Sequence, residues 1–504
     1  MSSSLSSCSH FSEHVDHPRR ALAERVRTVL DGTTTLDGTT NGAVHGTRVC
    51  VPVEEPVEPI QWLRAQEQTE AVYWADRSPS ALASDGRSLR GTACRADGRG
   101  QRAVAGVGHA DRVARREQPI DYAALRREFD DRFVRTDEDL RYYGGLRFDA
   151  TQPARPRNGS LWTSFGTYRF VLPRIELIQE DDEQVLACNL VLPRDRDRSN
   201  AIVESIEAVQ MPSSLPQPTL PEPLRRTDRP EKQGWTQMVQ WALNAIAERR
   251  LEKVVLARQV ELALERRVDP MRVLHHLKAA TPGCFHFALR PPEGPTFVGA
   301  SPERLFHWAG DRVVSEAVAG TRGRGDTPEA DAALREELLT SAKERREHAF
   351  VQQAIQEDLA TLCTSVDSPE TPSELMLARG RHLHARLTGT LRSDVTAAEL
   401  LDALHPTPAV GGVPSDAALT AIREQEPFDR GWYAGPVGWI GSDAAEFSVA
   451  IRSGLVEPER LTLFSGAGIV DGSEPEREWA EIEQKLGDFA AVLGVLGRTN
   501  GTPR

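Results

Sequence analysis

Glu474-Pro-Glu-Arg-Glu-Trp-Ala-Glu-Ile-Glu-Gln-Lys-Leu486, near the end of a 504-residue chain, carries two patterns in one helix. At 100° per residue, Trp479, Ile482, Leu486, Phe489 and Leu493 share an apolar stripe about 80° wide, which predicts a helix over 474–495 packed on a core. Glu478, Glu481 and Lys485 form a second stripe beside it. A solvated face with a Glu481–Lys485 pair would explain that stripe equally well. A long helix predicted over 328–363 repeats the theme. In its Ser341-Ala-Lys-Glu-Arg-Arg-Glu-His348 stretch, Glu344 and Glu347 point the same way. Two helices with two carboxylates each suit Mg²⁺, which takes one or two protein carboxylates, waters and substrate oxygens. An ordinary charged surface is again the alternative.

Working outward, a helix is expected at 235–249, a strand at 253–259 and a helix at 270–279. Strands follow at 284–290, 296–300, 384–391, 434–440, 446–455 and 460–465. Strands and helices mixed without strict alternation predict an α+β fold with large mixed sheets flanked by helices, not a doubly wound sheet. Residues 1–45 read as a flexible segment with one short helix. Residues 46–230 mix short strands and loops, Thr167–Pro173 being the clearest strand. They end in a Pro-rich connection, Met211–Pro230. The denser region, 231–497, is the expected catalytic part.

A hydrophobic fraction of 39% with nine Trp supports a sizeable core. The net charge of −13 argues against nucleic acid or an anionic membrane as partner. It also means that a site for a dianion needs Arg, Lys or a metal ion. The six cysteines are scattered without a C-x-x-C pair, which fits a reducing compartment. With no apolar signal segment expected, the location expected is cytoplasmic. Of 61 basic residues only five are Lys: Lys232, Lys253, Lys278, Lys343 and Lys485. Where Arg has displaced Lys, a remaining Lys is a candidate for what Arg cannot do, such as losing a proton.

Other patterns are less specific. Gly466-Ala-Gly-Ile-Val-Asp-Gly472 imitates a dinucleotide loop but has the wrong spacing. As a Gly-rich turn it could bring backbone N–H groups to a carboxylate. His382-x-His384 and His275-His276 have no partners at metal-ligand spacing and read as structural.

Ten segments taken in order form a more specific signal. They are Lys253–Arg258, Phe297–Glu303, Ala319-Gly-Thr-Arg322, Lys343–His348, Leu404-His-Pro-Thr-Pro-Ala-Val-Gly-Gly412, Glu426–Arg430, Trp432-Tyr-Ala-Gly435, Ala450-Ile-Arg452, Gly466–Val470 and Glu478–Lys485. Tyr143–Phe148 and Phe170–Arg174 join them upstream. Together they resemble the chorismate-utilising enzymes: isochorismate and salicylate synthases and the large subunits of anthranilate and aminodeoxychorismate synthases. The resemblance implies an anthranilate synthase component I-like fold around a central active site. It implies that Glu347 and Glu481 hold one Mg²⁺, with Glu344 and Glu478 beside them. Arg452 and Tyr433 would hold the enolpyruvyl carboxylate. Gly466 and Lys485 would complete anion binding, with Thr321 and His405 as further substrate contacts.

Lys253 selects the branch. In the water-adding members a Lys here deprotonates the attacking water, whereas amine-adding members lack it. The His405 motif is closest to isochorismate synthases. The activity this implies is isomerisation of chorismate to isochorismate, with Lys253 as base and Glu303 as acid donating to the C4 hydroxyl. It further implies a role in menaquinone or siderophore biosynthesis, with menaquinone favoured, and no glutaminase subunit. The rival readings are a salicylate synthase, an amine-adding subunit and a non-catalytic chorismate- or Mg²⁺-binding regulator.

Overall fold

The computed structural model describes residues 18–32, 45–67, 70–77, 102–134, 136–137, 139–151, 161–213, 219–378 and 380–492. Two large sheets, of 12 and 10 strands, dominate it, with helices packed around them. The α+β class is as expected. The sheets were expected to be mixed, yet every pairing between their strands is antiparallel. Hairpins such as Ile175–Glu180 with Glu183–Leu192 and Ser453–Glu457 with Arg460–Ile469 join some neighbours, and other neighbours come from distant parts of the chain.

Both sheets draw on both halves of the chain. The 12-stranded sheet runs from His45–Pro52 at one edge to Lys253–Leu264 near the other. The 10-stranded sheet places Tyr142–Leu146 beside Pro436–Ile440. One contiguous core spans them, with Trp162 edge-on to Phe297 and Phe165 against Trp432. Position 230 therefore divides the sequence without dividing a sheet.

Within the segment expected to be flexible, Pro18–Asp31 is a helix that buries Leu22, Ala23, Val26 and Leu30. The rest of that segment lies mostly outside the described residues. The Pro-rich connection ends as a strand, Pro223–Arg229, paired with Lys253–Leu264. An edge strand tolerates Pro because one side need not donate. The helix expected over 328–363 is two, Pro328–Thr340 and Ala342–Leu362. Ser341 adopts an extended ψ of 116° and its side chain caps the Glu344 N–H. The strand expected over 446–455 is also two, Ala444–Val449 in one sheet and Ser453–Glu457 in the other.

Those breaks position the site. The chain passes from the 12-stranded to the 10-stranded sheet at Pro302–Glu303, between Thr296–Ser301 and Arg304–Ala309. It passes back at Ala450–Arg452. The two crossings lie side by side: Val449 N donates to Glu303 O at 3.1 Å, and Ala300 N to Arg452 O at 3.1 Å.

Cys188, Cys284 and Cys363 are buried, whereas Cys50 is disulfide-bonded, which the scattered spacing did not reveal. Among the described residues no helix is long and apolar enough to cross a membrane.

Candidate active site

Strand Lys253–Leu264 is buried on both faces over its first eight residues, of which residues 254–257 form a continuous apolar run. Alternation sends Lys253 and Val255 to one face and Arg258 to the other. Arg258 pairs with Asp228 and Glu483 and lies over the Trp479 ring. The Glu426–Arg430 segment serves this strand. Glu426 accepts from Ala257 N at 2.8 Å, and Arg430 donates to Val255 O at 2.8 Å.

An open cavity lies over the face toward Lys253. Eight of the twelve expected residues line it: Glu303, Thr321, Glu347, Tyr433, Arg452, Gly466, Glu481 and Lys485. They come from both of these crossings, from the helices Ala342–Leu362 and Pro475–Val492, from the strands Arg312–Gly323 and Arg460–Ile469, and from the turn at Tyr433. The acidic stripe on the closing helix is thus no solvated face, and Glu478 is 2% exposed.

Lys253 lies just behind the wall. It is fully buried, and its Nζ is 3.0 Å from Glu347 Oε1. The approach makes an ion pair but is off the direction of a hydrogen bond. Glu303 is also buried. Burial, reinforced by Glu316 and opposed by Lys253 and Lys485, pushes its carboxyl up to about 8. A carboxylic acid is therefore kept protonated near neutral pH beside a lysine.

The four carboxylates of the two helices each have their own cation. Glu347 has Lys253 at 3.0 Å, Glu481 has Lys485 at 2.7 Å, Glu478 has Lys343 at 3.1 Å and Glu344 has Arg322 at 2.8 Å. Three of the five lysines are in this set, Lys343 with no role foreseen. Burial pushes Glu478 up, opposed by Lys343; Glu481 is also penalised by burial, but Lys485 brings it below the usual range.

The ligand set can be tested on this arrangement. Among the described residues no group of three or more His, Cys, Asp or Glu is placed to hold a metal ion. Glu347 and Glu481 nevertheless reach one cavity from two helices, and one or two protein carboxylates are what Mg²⁺ uses alongside substrate oxygens. The donor set therefore fits the ion. Glu344 and Glu478 do not line the cavity and are engaged with Arg322 and Lys343.

Two expected substrate contacts are placed differently. His405 is turned away: it is buried, edge-on to Phe148, and its Nε2 is 3.0 Å from Phe148 O. Its neighbours Ala409 and Val410 line the cavity instead. Gly466 lies inside strand Arg460–Ile469, not in a turn. Its carbonyl accepts from Lys485 Nζ at 3.0 Å. The glycines of this strand make room for side chains. A Cβ on Gly468 would stand 2.5 Å from Glu347 Oε1 and 3.1 Å from Lys253 Cε.

His382, read from the sequence as structural, lines the cavity. Its Nδ1 is 3.2 Å from Gly320 O and 3.1 Å from Thr321 Oγ1, and its Nε2 is 3.1 Å from Arg452 Nη2. Burial, with Arg452 and Lys485 nearby, lowers it to about 3, so the ring is neutral. The proton then belongs on Nδ1, facing the carbonyl, and Nε2 accepts from the guanidinium. Gly320, at φ +72°, sits at the irregularity between Ala319 and Thr321 that turns its carbonyl and Thr321 toward His382. Tyr433 stacks on Phe464, with ring centres 5.3 Å apart.

Comparison with known proteins identifies the family. The profile of the chorismate binding enzyme family matches residues 44–494. A chloroplastic isochorismate synthase of Catharanthus roseus is 33% identical over 95% of this chain and 86% of its own length. The solved structure of MenF, the menaquinone-specific isochorismate synthase from Escherichia coli, superposes with a TM-score of 0.75 at 26% identity, covering 95% of this chain and all of that one. Anthranilate synthase component I from Streptococcus pneumoniae shares the fold, with a TM-score of 0.64 at 19% identity over 77% of this chain and 92% of that one.

Proposed function

Since the chain belongs to the family of chorismate-binding enzymes, we propose that it isomerises chorismate to isochorismate, adding water at C2 and expelling the C4 hydroxyl. The observation that carries this reading is the acid–base pair at the cavity: Glu303, with its carboxyl raised to about 8, beside Lys253. A carboxyl held protonated by its surroundings is what proton donation to a leaving hydroxyl needs.

Arg452, held by His382, takes a substrate carboxylate, with Tyr433, Thr321 and Lys485 on the surrounding wall. Lys253, acting as the neutral amine, accepts at Nζ the proton of a water as the water oxygen bonds to C2. Glu303 gives its proton to the C4 hydroxyl, which leaves as water while the ring double bonds shift. One water is consumed and one released, so the reaction is redox-neutral. Glu347 and Glu481 are the residues that would hold Mg²⁺, which supplies positive charge to a ring carboxylate. No ammonia enters this chemistry, so no glutaminase partner is needed. Similarity along the full length of the menaquinone-specific Escherichia coli enzyme supports menaquinone formation as the use of the product.

Incubation with chorismate and Mg²⁺, followed by separation of products, tests the reading. Isochorismate in reversible equilibrium with chorismate, with little pyruvate, is expected. Stoichiometric salicylate and pyruvate would reassign the chain as a salicylate synthase. No turnover with chorismate bound would make it a regulator.

A further inference from the structure

Behind the turn that carries Glu303 lies a buried lattice of charge that the steps above do not use. Arg77, just past strand Ala71–Ala75 in the N-terminal half, donates from Nη1 to the Pro302 carbonyl at 2.6 Å. Its Nη2 donates to Glu316 Oε1 at 2.5 Å. From the other side of the turn, Arg304 donates to the same Glu316 oxygen at 2.7 Å. Arg304 also donates to Glu446 Oε1 from Nε at 3.1 Å and from Nη2 at 3.0 Å. His384 Nε2 lies 3.6 Å from Glu316 Oε2. The side chains of Arg77 and Glu316 are 2% and 1% exposed. Neither lines the cavity.

Burying so much charge is poor value as stabilisation, because apolar residues of similar volume often hold a core equally well. What the lattice does uniquely is fix a turn. Pro302 has no N–H, and its carbonyl is held by Arg77. The Glu303 N–H reaches Ser301 Oγ at 3.2 Å, and its carbonyl accepts from Val449 N at 3.1 Å. Arg304 is locked by two carboxylates. With the backbone of Pro302–Arg304 tied down, the Glu303 side chain faces the cavity.

We infer that Arg77 and Glu316 are positioning residues for Glu303: Arg77 clamps the Pro302 carbonyl, and Glu316 locks Arg77 and Arg304 on either side of the turn. This rests on the reading of Glu303 as the acid that forms isochorismate. The groups that face Glu303 are Lys253 from its strand, Lys485 from the closing helix, Glu316 from strand Arg312–Gly323 and the Tyr433 ring. The lysines favour a charged Glu303. Glu316, which Arg77 and Arg304 hold ionised against its burial, opposes it. Loss of the Glu316 charge therefore eases ionisation of Glu303.

The test compares wild type, Arg77→Met, Arg77→Lys and the double variant Arg77→Met/Glu316→Gln, each with chorismate and Mg²⁺. Arg77→Met is expected to lose at least about tenfold in kcat with KM for chorismate within about threefold, since misplacing a reacting group by ~1 Å can cost ~100-fold. Arg77→Lys regains part of the loss, because one ammonium can still hold one of the two acceptors. The double variant removes one charge of each sign and leaves Arg304 paired with Glu446. Of those two charges only Glu316 is among the groups that act on Glu303, so the alkaline limb of the kcat profile should shift to lower pH by at least about half a unit. A folded Arg77→Met with wild-type kcat overturns the assignment, as does an unmoved limb in the double variant. Should Arg77→Met not fold, Arg77→Lys decides: kcat within about twofold of wild type overturns the assignment, because a positioned acid contributes ~100-fold or more. A wild type that forms no isochorismate overturns the parent reading, and this one with it.

Discussion

Glu303 illustrates how a protein surround gives a residue its task. Glu303 holds its proton in the folded chain up to about 8. An unfolded Glu loses its proton near about 4.3. The folded state therefore binds the proton more tightly, and this contribution to stability is full below the unfolded value and lost as pH rises through about 8. Glu303→Gln cannot ionise. Its melting temperature should exceed that of the wild type at pH 9, with the gap closing by pH 5, while turnover is lost. A constant gap across that range would mean that the carboxyl ionises normally. In the wild type, kcat should fall as pH rises through about 8, because only the protonated form can donate. Lys253 calls for a different substitution. Its partner Glu347 would accept a guanidinium as readily as an ammonium, so a pure counter-ion survives Lys253→Arg. A base does not, because a guanidinium with a pKa above about 12 cannot take a proton at neutral pH. Lys253→Arg and Lys253→Ala should each lose at least about 100-fold in water addition, the low end for a general base. Chorismate binding should be better preserved, and an Arg variant within a few-fold of wild type would leave the mechanism without its base. The residues missed at this scale had no local signal. His382 looked like any strand histidine, and its role exists only because Gly320, Thr321 and Arg452 come from elsewhere in the chain.

At the scale of elements, long periodic segments were legible and their interruptions were not. Strand Lys253–Leu264 and helix Pro475–Val492 follow from apolar runs and a 3.6-residue stripe. The break at Ser341 went unread because both flanking stretches favour helix and a single Ser can sit inside one. Only the extended ψ of 116° and the cap on Glu344 make it a boundary. The break at Ala450–Arg452 went unread because both flanks are strands, and nothing local says that they belong to different sheets. Gly466-Ala-Gly468 gave the wrong signal: glycine usually marks a turn, but here it marks close side-chain approach within a strand. That has a measurable consequence. Gly468→Ala puts a methyl group 2.5 Å from Glu347 Oε1 and 3.1 Å from Lys253 Cε, which forces that pair to move. Strand Arg460–Ile469 is paired on both sides and should hold its shape. The variant should keep its melting temperature within a few degrees yet lose most of its turnover. Wild-type turnover would show that the pair need not sit where it does.

For the whole molecule, the question is how an acidic chain of net charge −13 receives a dianion. Its two acidic helices bring four carboxylates toward the site, and Lys253, Lys485, Lys343 and Arg322 cancel them pair by pair. Arg452 is also on the wall, and Glu303 is neutral near pH 7. The charges of the site thus largely cancel, while chorismate brings two negative ones. A divalent cation alone meets carboxylates already satisfied by lysines, and chorismate alone meets too little positive charge. Bound together they restore the balance, so each should favour the other, and by linkage the favour is equal in both directions. Titrating Mg²⁺ into the Glu303→Gln variant, which should bind without turning over, measures this directly. The apparent Kd for Mg²⁺ should tighten by at least about tenfold in saturating chorismate, and the Kd for chorismate by the same factor in saturating Mg²⁺. Glu481→Gln should abolish the coupling and most of the activity while leaving the fold intact, because it takes one of the two carboxylates that reach the cavity. EDTA should stop turnover and added Mg²⁺ restore it. Equal Mg²⁺ affinity with and without chorismate would show that the two ligands ignore each other and that the lysines, not the metal, answer the charge of the substrate. Full turnover in EDTA would lead to the same conclusion by a separate route.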